Sequence, residues 1–177
     1  LTIVSGGQTG VDRAALDAAL AAGAPCGGWC PEGRLDENGV IPKRYPLSEL
    51  PGGDFAARTL KNVQDSDGTA IIFFGQPEGG TAQTRLYCRT EKKPHLLLNA
   101  LELSPRQAAE RLHPFIQHHH IRRLNVAGPR ASKEPRAYRF ARATLRNLLA
   151  KAGSHGLGDK IIRDLQADDR VGPRPAI

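Results

Sequence analysis

Apolar residues along this chain fall into five short runs, with helical periodicity in the stretches between them. The first run is Leu1 to Ser5 (LTIVS), followed by GGQTG. A helix is predicted from Val11 to about Ala22, because Ala14, Ala15, Ala18, Ala19 and Ala22 recur at helical spacing and Gly23 ends the pattern. The second run, Ala24 to Cys30, is short and rich in glycine. A helix from Gly53 to Gln64 leads into the third run, Gly68 to Phe74 (GTAIIFF), and another follows from about Thr81 to Thr90. The fourth run is His95 to Asn99 (HLLLN). Ser104 as N-cap and Pro105 as a first-turn proline then open a helix to about Gln117. The fifth run is Leu124 to Ala127 (LNVA), followed by GPRASKEP and a helix from about Arg136 to Ala152.

Strands alternating with helices over this length predict an α/β protein: a Rossmann-like three-layer αβα sandwich around a mainly parallel sheet of about five or more strands. Its crossovers are expected to be right-handed. Ligands of such sheets bind at the carboxyl ends of the strands, which is where the glycine-rich segments of this chain fall. Residues 31–53 (PEGRLDENGVIPKRYPLSELPGG) show no clear periodicity and read as a long loop, a feature often tied to function. Residues 1–153 read as one ligand-binding domain and residues 154–177 as a C-terminal tail. In the tail Ile161, Ile162 and Leu165 would form at most one amphipathic turn. No internal repeats are visible.

At 177 residues, with 40% hydrophobic and 24% charged residues, the chain has the make-up of an ordinary globular domain able to bury a core. No apolar run approaches the roughly 20 residues that span a bilayer. The opening LTIV has no basic region before it, so no signal peptide is visible, and the lack of any Met suggests that the natural chain starts earlier. Three cysteines, Cys26, Cys30 and Cys88, argue against a disulfide framework and for a reducing, cytoplasmic setting. The net charge of +7 fits an anionic partner, and equally fits plain solubility. An aromatic content of 5% is low for a protein that stacks single-stranded bases, which counts against nucleic acid.

Three segments carry candidate chemistry. In Ser5-Gly6-Gly7-Gln8-Thr9-Gly10, glycines let the backbone approach an anion and the following helix offers free N–H groups. Asp12 and Arg13 follow in its first turn; Asp12 either complements the helix dipole or holds a ligand hydroxyl. Gly75 to Thr81 repeats the arrangement: Gly79 and Gly80 expose donors and Thr81 can cap a helix. Ala127 to Lys133 adds Arg130, Ser132 and Lys133 at the same edge, the arginine offering a planar fork for phosphate and the lysine a point charge. Around the long loop, Trp29 either stacks on a planar ring or fills the core edge, and Lys43, Arg34, Arg44 and Tyr45 are further candidates. Arg58 sits on a helix facing that loop or water. Cys26, Cys30 and His118 to His120 lack the spacing of a zinc site, so no metal ligands are assigned. No Ser–His–Asp or Cys–His pairing can be assigned, and no catalytic residue is named; only Asp12 and Glu78 lie near the glycine segments as acid–base groups.

Three stretches, SGGQTGVDRAALDAAL, GGWCPEGRLDENGVIPKRYPLSEL and the pair GGTAQT with LNVAGPRASKEP, together resemble the molybdenum-cofactor carrier family, a circularly permuted branch of the SLOG superfamily, over residues 1 to about 150. The resemblance implies a Rossmann-like fold and a homo-oligomer, a tetramer of paired dimers or a dimer. It implies the molybdenum cofactor (molybdopterin carrying molybdenum) as ligand, with molybdate or a nucleotide phosphate as other anions of the same kind. The implied role is storage, protection and transfer to a molybdoenzyme without turnover. The family's anion-binding positions map onto Gly6, Gly7, Gln8, Thr9 and Gly10, and onto Gly79, Gly80 and Thr81. Asp12, Arg13, Trp29, Lys43, Arg130, Ser132 and Lys133 are added from the loops alone. The alternative is a nucleotide-processing enzyme, a phosphoribohydrolase or N-glycosidase. Enzymes of that kind carry a glutamate soon after their GGxGT loop, whereas this chain continues Thr81-Ala82-Gln83-Thr84-Arg85 with no carboxylate. A nucleic-acid module is the third reading.

Overall fold

A computed structural model describes residues 1–150; the tail expected at 154–177 lies outside them. The elements in chain order begin with β1 (Thr2–Val4), α1 (Val11–Ala21), β2 (Cys26–Pro31), β3 (Leu35–Asp36), β4 (Gly39–Val40) and β5 (Leu47–Leu50). They continue with α2 (Phe55–Gln64), β6 (Gly68–Phe73), α3 (Gly79–Thr90), β7 (His95–Asn99), α4 (Pro105–His118) and β8 (Arg123–Ala127). Residues 137–150 are helical and are called α5. The main sheet has six strands in the order β5-β2-β1-β8-β6-β7, and every pairing in it is parallel.

Local chemistry accounts for the helix ends. Asp54 caps α2 by accepting from the Ala57 N–H at 2.8 Å. Ser104 and Gln107 form a reciprocal capping box on α4, with Pro105 in its first turn. At the end of α1 the chain turns through Gly23 at φ 64°, and the Ala24 N–H reaches back to the Ala19 carbonyl at 2.9 Å. Ala14, Ala15, Ala18 and Ala19 of α1 are buried and small, which lets the helix lie close on β1 and β8.

Alternation along the strands divides the core. Ile3, Ala70, Ile72, Leu124 and Val126 face one side and pack with α1, α4 and α5. Ile71 faces the other, with Val63 of α2 and Cys88 of α3. A smaller cluster of Leu16, Cys30, Ile41, Tyr45 and Leu47 closes the β5 edge. The three layers expected from the sequence are therefore present.

Residues 31–53 are not the structureless loop expected. A short 3-10 turn (Glu32–Arg34), the antiparallel β3–β4 hairpin and the edge strand β5 occupy them. Arg34 holds the return path together, donating to the carbonyls of Leu47 at 2.8 Å and Tyr45 at 3.0 Å. Among the described residues, no helix is long and apolar enough to cross a membrane.

Candidate functional site

Because the sheet is wholly parallel, the segments after β1, β6 and β8 emerge at one edge. Between them and α2 lies a cavity of about 810 Å³, in the size range of small-molecule sites. Gln8, Asp12, Gly79, Gly80, Thr81, Arg130 and Lys133 from the sequence-derived set line it, together with Phe55, Arg58, Asn62, Phe74 and Asn125. Asn125 points to the same side of the sheet as Thr69, donating to its hydroxyl at 3.3 Å, and so lies under the cavity on the α2–α3 side.

The glycines of the two main segments differ in what surrounds them. A Cβ on Gly6 would meet the Arg58 guanidinium at 1.6 Å, one on Gly7 the Leu47 side chain at 2.4 Å, and one on Gly10 the Pro129 carbonyl at 2.4 Å. These three glycines make room for the chain's own atoms. A Cβ on Gly79 or Gly80 would meet nothing within 4 Å. Gly79 has φ 50°, a backbone that itself favours glycine, whereas nothing among the described residues calls for glycine at Gly80; both positions border the cavity. The N–H groups of Gly79 and Gly80 have no partner among the described residues, whereas those of Thr81 and Ala82 return to the Glu78 carbonyl. The start of α3 therefore offers open donors backed by the positive end of the helix dipole. Thr81 does not cap the helix; Glu78 stands at the N-cap position without a side-chain bond. The Thr81 side chain is buried, lines the cavity, and its hydroxyl has no partner among the described residues.

The segment after β1 is closed on itself. Arg58 donates to Asp12 at 3.0 Å, with both side chains nearly buried. Burial pushes the Asp12 carboxyl above its ordinary value, against the pull of Arg58 and of the Gln8 and Gly6 N–H groups that face it. An internal carboxylate thus occupies the position where an external anion was expected. Arg13 turns away from the cavity, donating to the Gly7 carbonyl at 2.9 Å and to Asp36 at 2.5 Å.

Glu37, at the tip of the β3–β4 hairpin, joins the first and third segments. It accepts from the hydroxyls of Thr9 and Ser132, from the Ser132 N–H at 3.1 Å, and from Arg130 at 3.3 Å. Burial raises its carboxyl, but the hydroxyls, the N–H and Arg130 together hold it below its ordinary value. Thr9 and Ser132 are therefore bound to Glu37 and do not line the cavity. Trp29 also lies elsewhere: its indole donates to Asp65 at 2.6 Å, beneath Lys61. Lys43 is exposed and outside the lining.

The sequence analysis left Arg58 unplaced and did not pick out Phe55, Glu37 or Asn125. Phe55 opens α2 and stays 47% exposed at the cavity. A leading aromatic on a predicted helix beside the GG segments was its only available signal. Among the described residues, no thiol or imidazole lines the cavity, and no group of three or more His, Cys, Asp or Glu could hold a metal ion. The arrangement can hold an anion on α3 and present an aromatic face to a planar group.

Residues 3–149 match a family described as circularly permutated YpsA SLOG. Among solved structures, the chain is similar to one from Syntrophus aciditrophicus SB called a "Putative molybdenum carrier protein". The two are 47% identical, the match covers 84% of this chain and 94% of that one, and the TM-score is 0.82. No curated protein matches.

Proposed function

This chain belongs to the circularly permutated YpsA SLOG family, and on that premise we propose that it is a binding protein for molybdenum cofactor, which it stores, shields and passes on unchanged. The observation that carries the reading is the start of α3: a glycine, Gly80, that neither packing nor backbone conformation requires, two N–H groups without partners and a buried free hydroxyl on one cavity, among the described residues. Such a cluster suits a terminal phosphate. Phe55 supplies an aromatic face for a planar pterin. The similarity to a protein named as a molybdenum carrier supports the same reading. In this proposal the protein is a cytoplasmic homo-oligomer that donates to a molybdoenzyme, with residues 1–153 as its binding domain.

The test is retention. The protein is mixed with cofactor released anaerobically and desalted, and molybdenum and oxidised pterin are measured in the protein fraction. Near-stoichiometric retention of both, lost in Gly80→Val, is expected. No retention by the wild type would end the carrier reading.

The Asp12 carboxyl, raised and at the cavity, favours a second reading as a nucleotide N-glycosidase. Against it, Asp12 is paired with Arg58 and faced by two backbone N–H groups. Base release from a nucleoside monophosphate, abolished in Asp12→Asn, would establish it.

A further inference from the structure

Arg58 reaches the cavity from α2 with its side chain nearly buried, at 12% exposure. A guanidinium carries its N–H donors in one plane. Here Nη1 donates to Asp12 at 3.0 Å, and no other side-chain nitrogen of Arg58 has a partner among the described residues. Nε is closed off from solvent and still unpaired. Nη2 is not among the closed-off atoms, so it is open at the cavity. Nε and Nη2 form the side edge of the guanidinium, a planar two-donor fork of the shape that grips two oxygens of one oxyanion. A buried N–H without an acceptor destabilises a fold, and no described residue supplies one here. The chain nonetheless makes room for the group, since Gly6 has no side chain where the guanidinium lies.

Asp12 sits at Nη1, away from that fork, with its carboxyl 5% exposed. It is faced by Arg58 from α2 and by the Gly6 and Gln8 N–H groups from the segment after β1. The other charged groups on the cavity are Glu78 at the start of α3 and Arg130, Lys133 and Glu134 after β8, with Glu134 paired to Arg136. From β2, Cys30 lies near Arg58, and burial pushes its thiol up. An oxyanion on the Arg58 fork would place a second negative charge beside Asp12 around one cation. Like charges at such a site disfavour ionisation of the group that water reaches least. That group is Asp12, whose carboxyl burial already pushes up. Once Asp12 is protonated, the repulsion is gone and Arg58 is left to the incoming anion.

We propose that the side edge of Arg58 is a second oxyanion point of the cavity, separate from the α3 donors, and that filling it draws a proton from solvent onto Asp12. The ligand chemistry is an oxyanion that presents two accepting oxygens in one plane. The inference rests on this cavity being the ligand site, and it holds whether or not the ligand is the cofactor.

Sulfate is the probe, because its charge does not change between about pH 5 and pH 8, so any proton taken up belongs to the protein. Calorimetric titration of the full chain in two buffers of different ionisation enthalpy reads that uptake directly. The wild type is expected to take up protons on binding, and to bind at least about threefold tighter at pH 5.5 than at pH 7.5. Asp12→Asn removes the competing charge. It is expected to bind at least about tenfold tighter than wild type at pH 7.5, with no proton uptake. Arg58→Lys keeps a cation beside Asp12 but loses the fork, so its sulfate binding, confined to α3, is expected to proceed without proton uptake. Thermal midpoints check that both variants are folded; if Arg58→Lys is not, Asp12→Asn decides. Sulfate binding by the wild type without proton uptake overturns the coupling, and uptake that persists in Asp12→Asn overturns the assignment to Asp12. No binding of sulfate at pH 5.5 overturns the second point altogether. Cofactor retention by the wild type is scored separately, so each of these failures leaves the carrier reading standing.

Discussion

At the scale of single residues, glycines with the same letter have opposite consequences. Gly10 has φ 74° and the Pro129 carbonyl where a Cβ would sit, so Gly10→Ala places a side chain in a left-handed backbone and against fixed main chain. A loss of about 1–3 kcal/mol in urea unfolding is expected. Gly80 borders open space in the first turn of α3, so Gly80→Ala should hold stability or raise it by about 0.5 kcal/mol while narrowing the cavity. Equal losses in the two variants would remove the argument that Gly80 is there for something outside the chain. The Asp12–Arg58 pair belongs to the same scale. Arg58→Leu leaves a buried carboxylate without its partner, at a cost of about 3 kcal/mol near neutral pH. The sign of its pH dependence follows from the raised Asp12 carboxyl: the protonated form is the one the fold tolerates, so the variant should be least impaired below about pH 4 and lose stability as pH rises. A penalty that did not change between pH 4 and pH 7 would mean that Asp12 is not the group left stranded.

At the scale of elements, the β3–β4 hairpin acts as a staple. Its strands are two residues each, and Glu37 at the tip binds both Thr9 and Ser132. The Glu37 carboxyl lies below its ordinary value, so its contribution to stability is present above about pH 4.3 and fades as pH falls through the lowered folded-state value. Glu37→Gln should lower the urea midpoint at neutral pH, and the gap from wild type should close toward low pH. A gap independent of pH would show that Glu37 acts through packing alone. The hairpin also marks the limit of what could be read in advance. Long apolar runs such as GTAIIFF and capped helices such as Ser104-Pro105 carry their signal locally, and they stand where the sequence placed them. The edge strand β5 (LSEL) is four residues with one buried side chain, and only its pairing with β2 makes it a strand. The candidate site divides in the same way. A GG pair before a helix is a local signal, and the α3 donors sit on the cavity. The GGQTG glycines carry the same local signal, but their neighbours Arg58, Leu47 and Pro129 lie 52, 40 and 119 residues away along the chain, so only folding brings them together.

At the scale of the molecule, the cavity depends on the sheet being clamped from the side opposite it. Ala137, Phe140, Ala141, Leu145, Leu148 and Leu149 of α5 belong to the same buried cluster as Ile3, Ala70 and Val126, and the Tyr138 hydroxyl donates to Asp17 of α1 at 2.9 Å. These contacts fix β8, and β8 carries Asn125 beneath the cavity and the segment with Arg130 and Lys133 at its rim. The sequence predicts that the domain ends at residue 153. A chain ending at residue 153 is therefore expected to unfold cooperatively at the urea midpoint of the full chain and to bind inorganic phosphate with the same affinity. A chain ending at residue 136 loses six buried apolar side chains of α5, at roughly 1.5–3 kcal/mol for each of the larger ones. For Phe140, Leu145, Leu148 and Leu149 that comes to roughly 6–12 kcal/mol, comparable to the whole 5–15 kcal/mol by which most domains are stable, so this chain should show no cooperative transition. If the longer truncation product also lost its transition, residues 154–177 would be part of the folded unit, and the binding domain would have to be redrawn to include them.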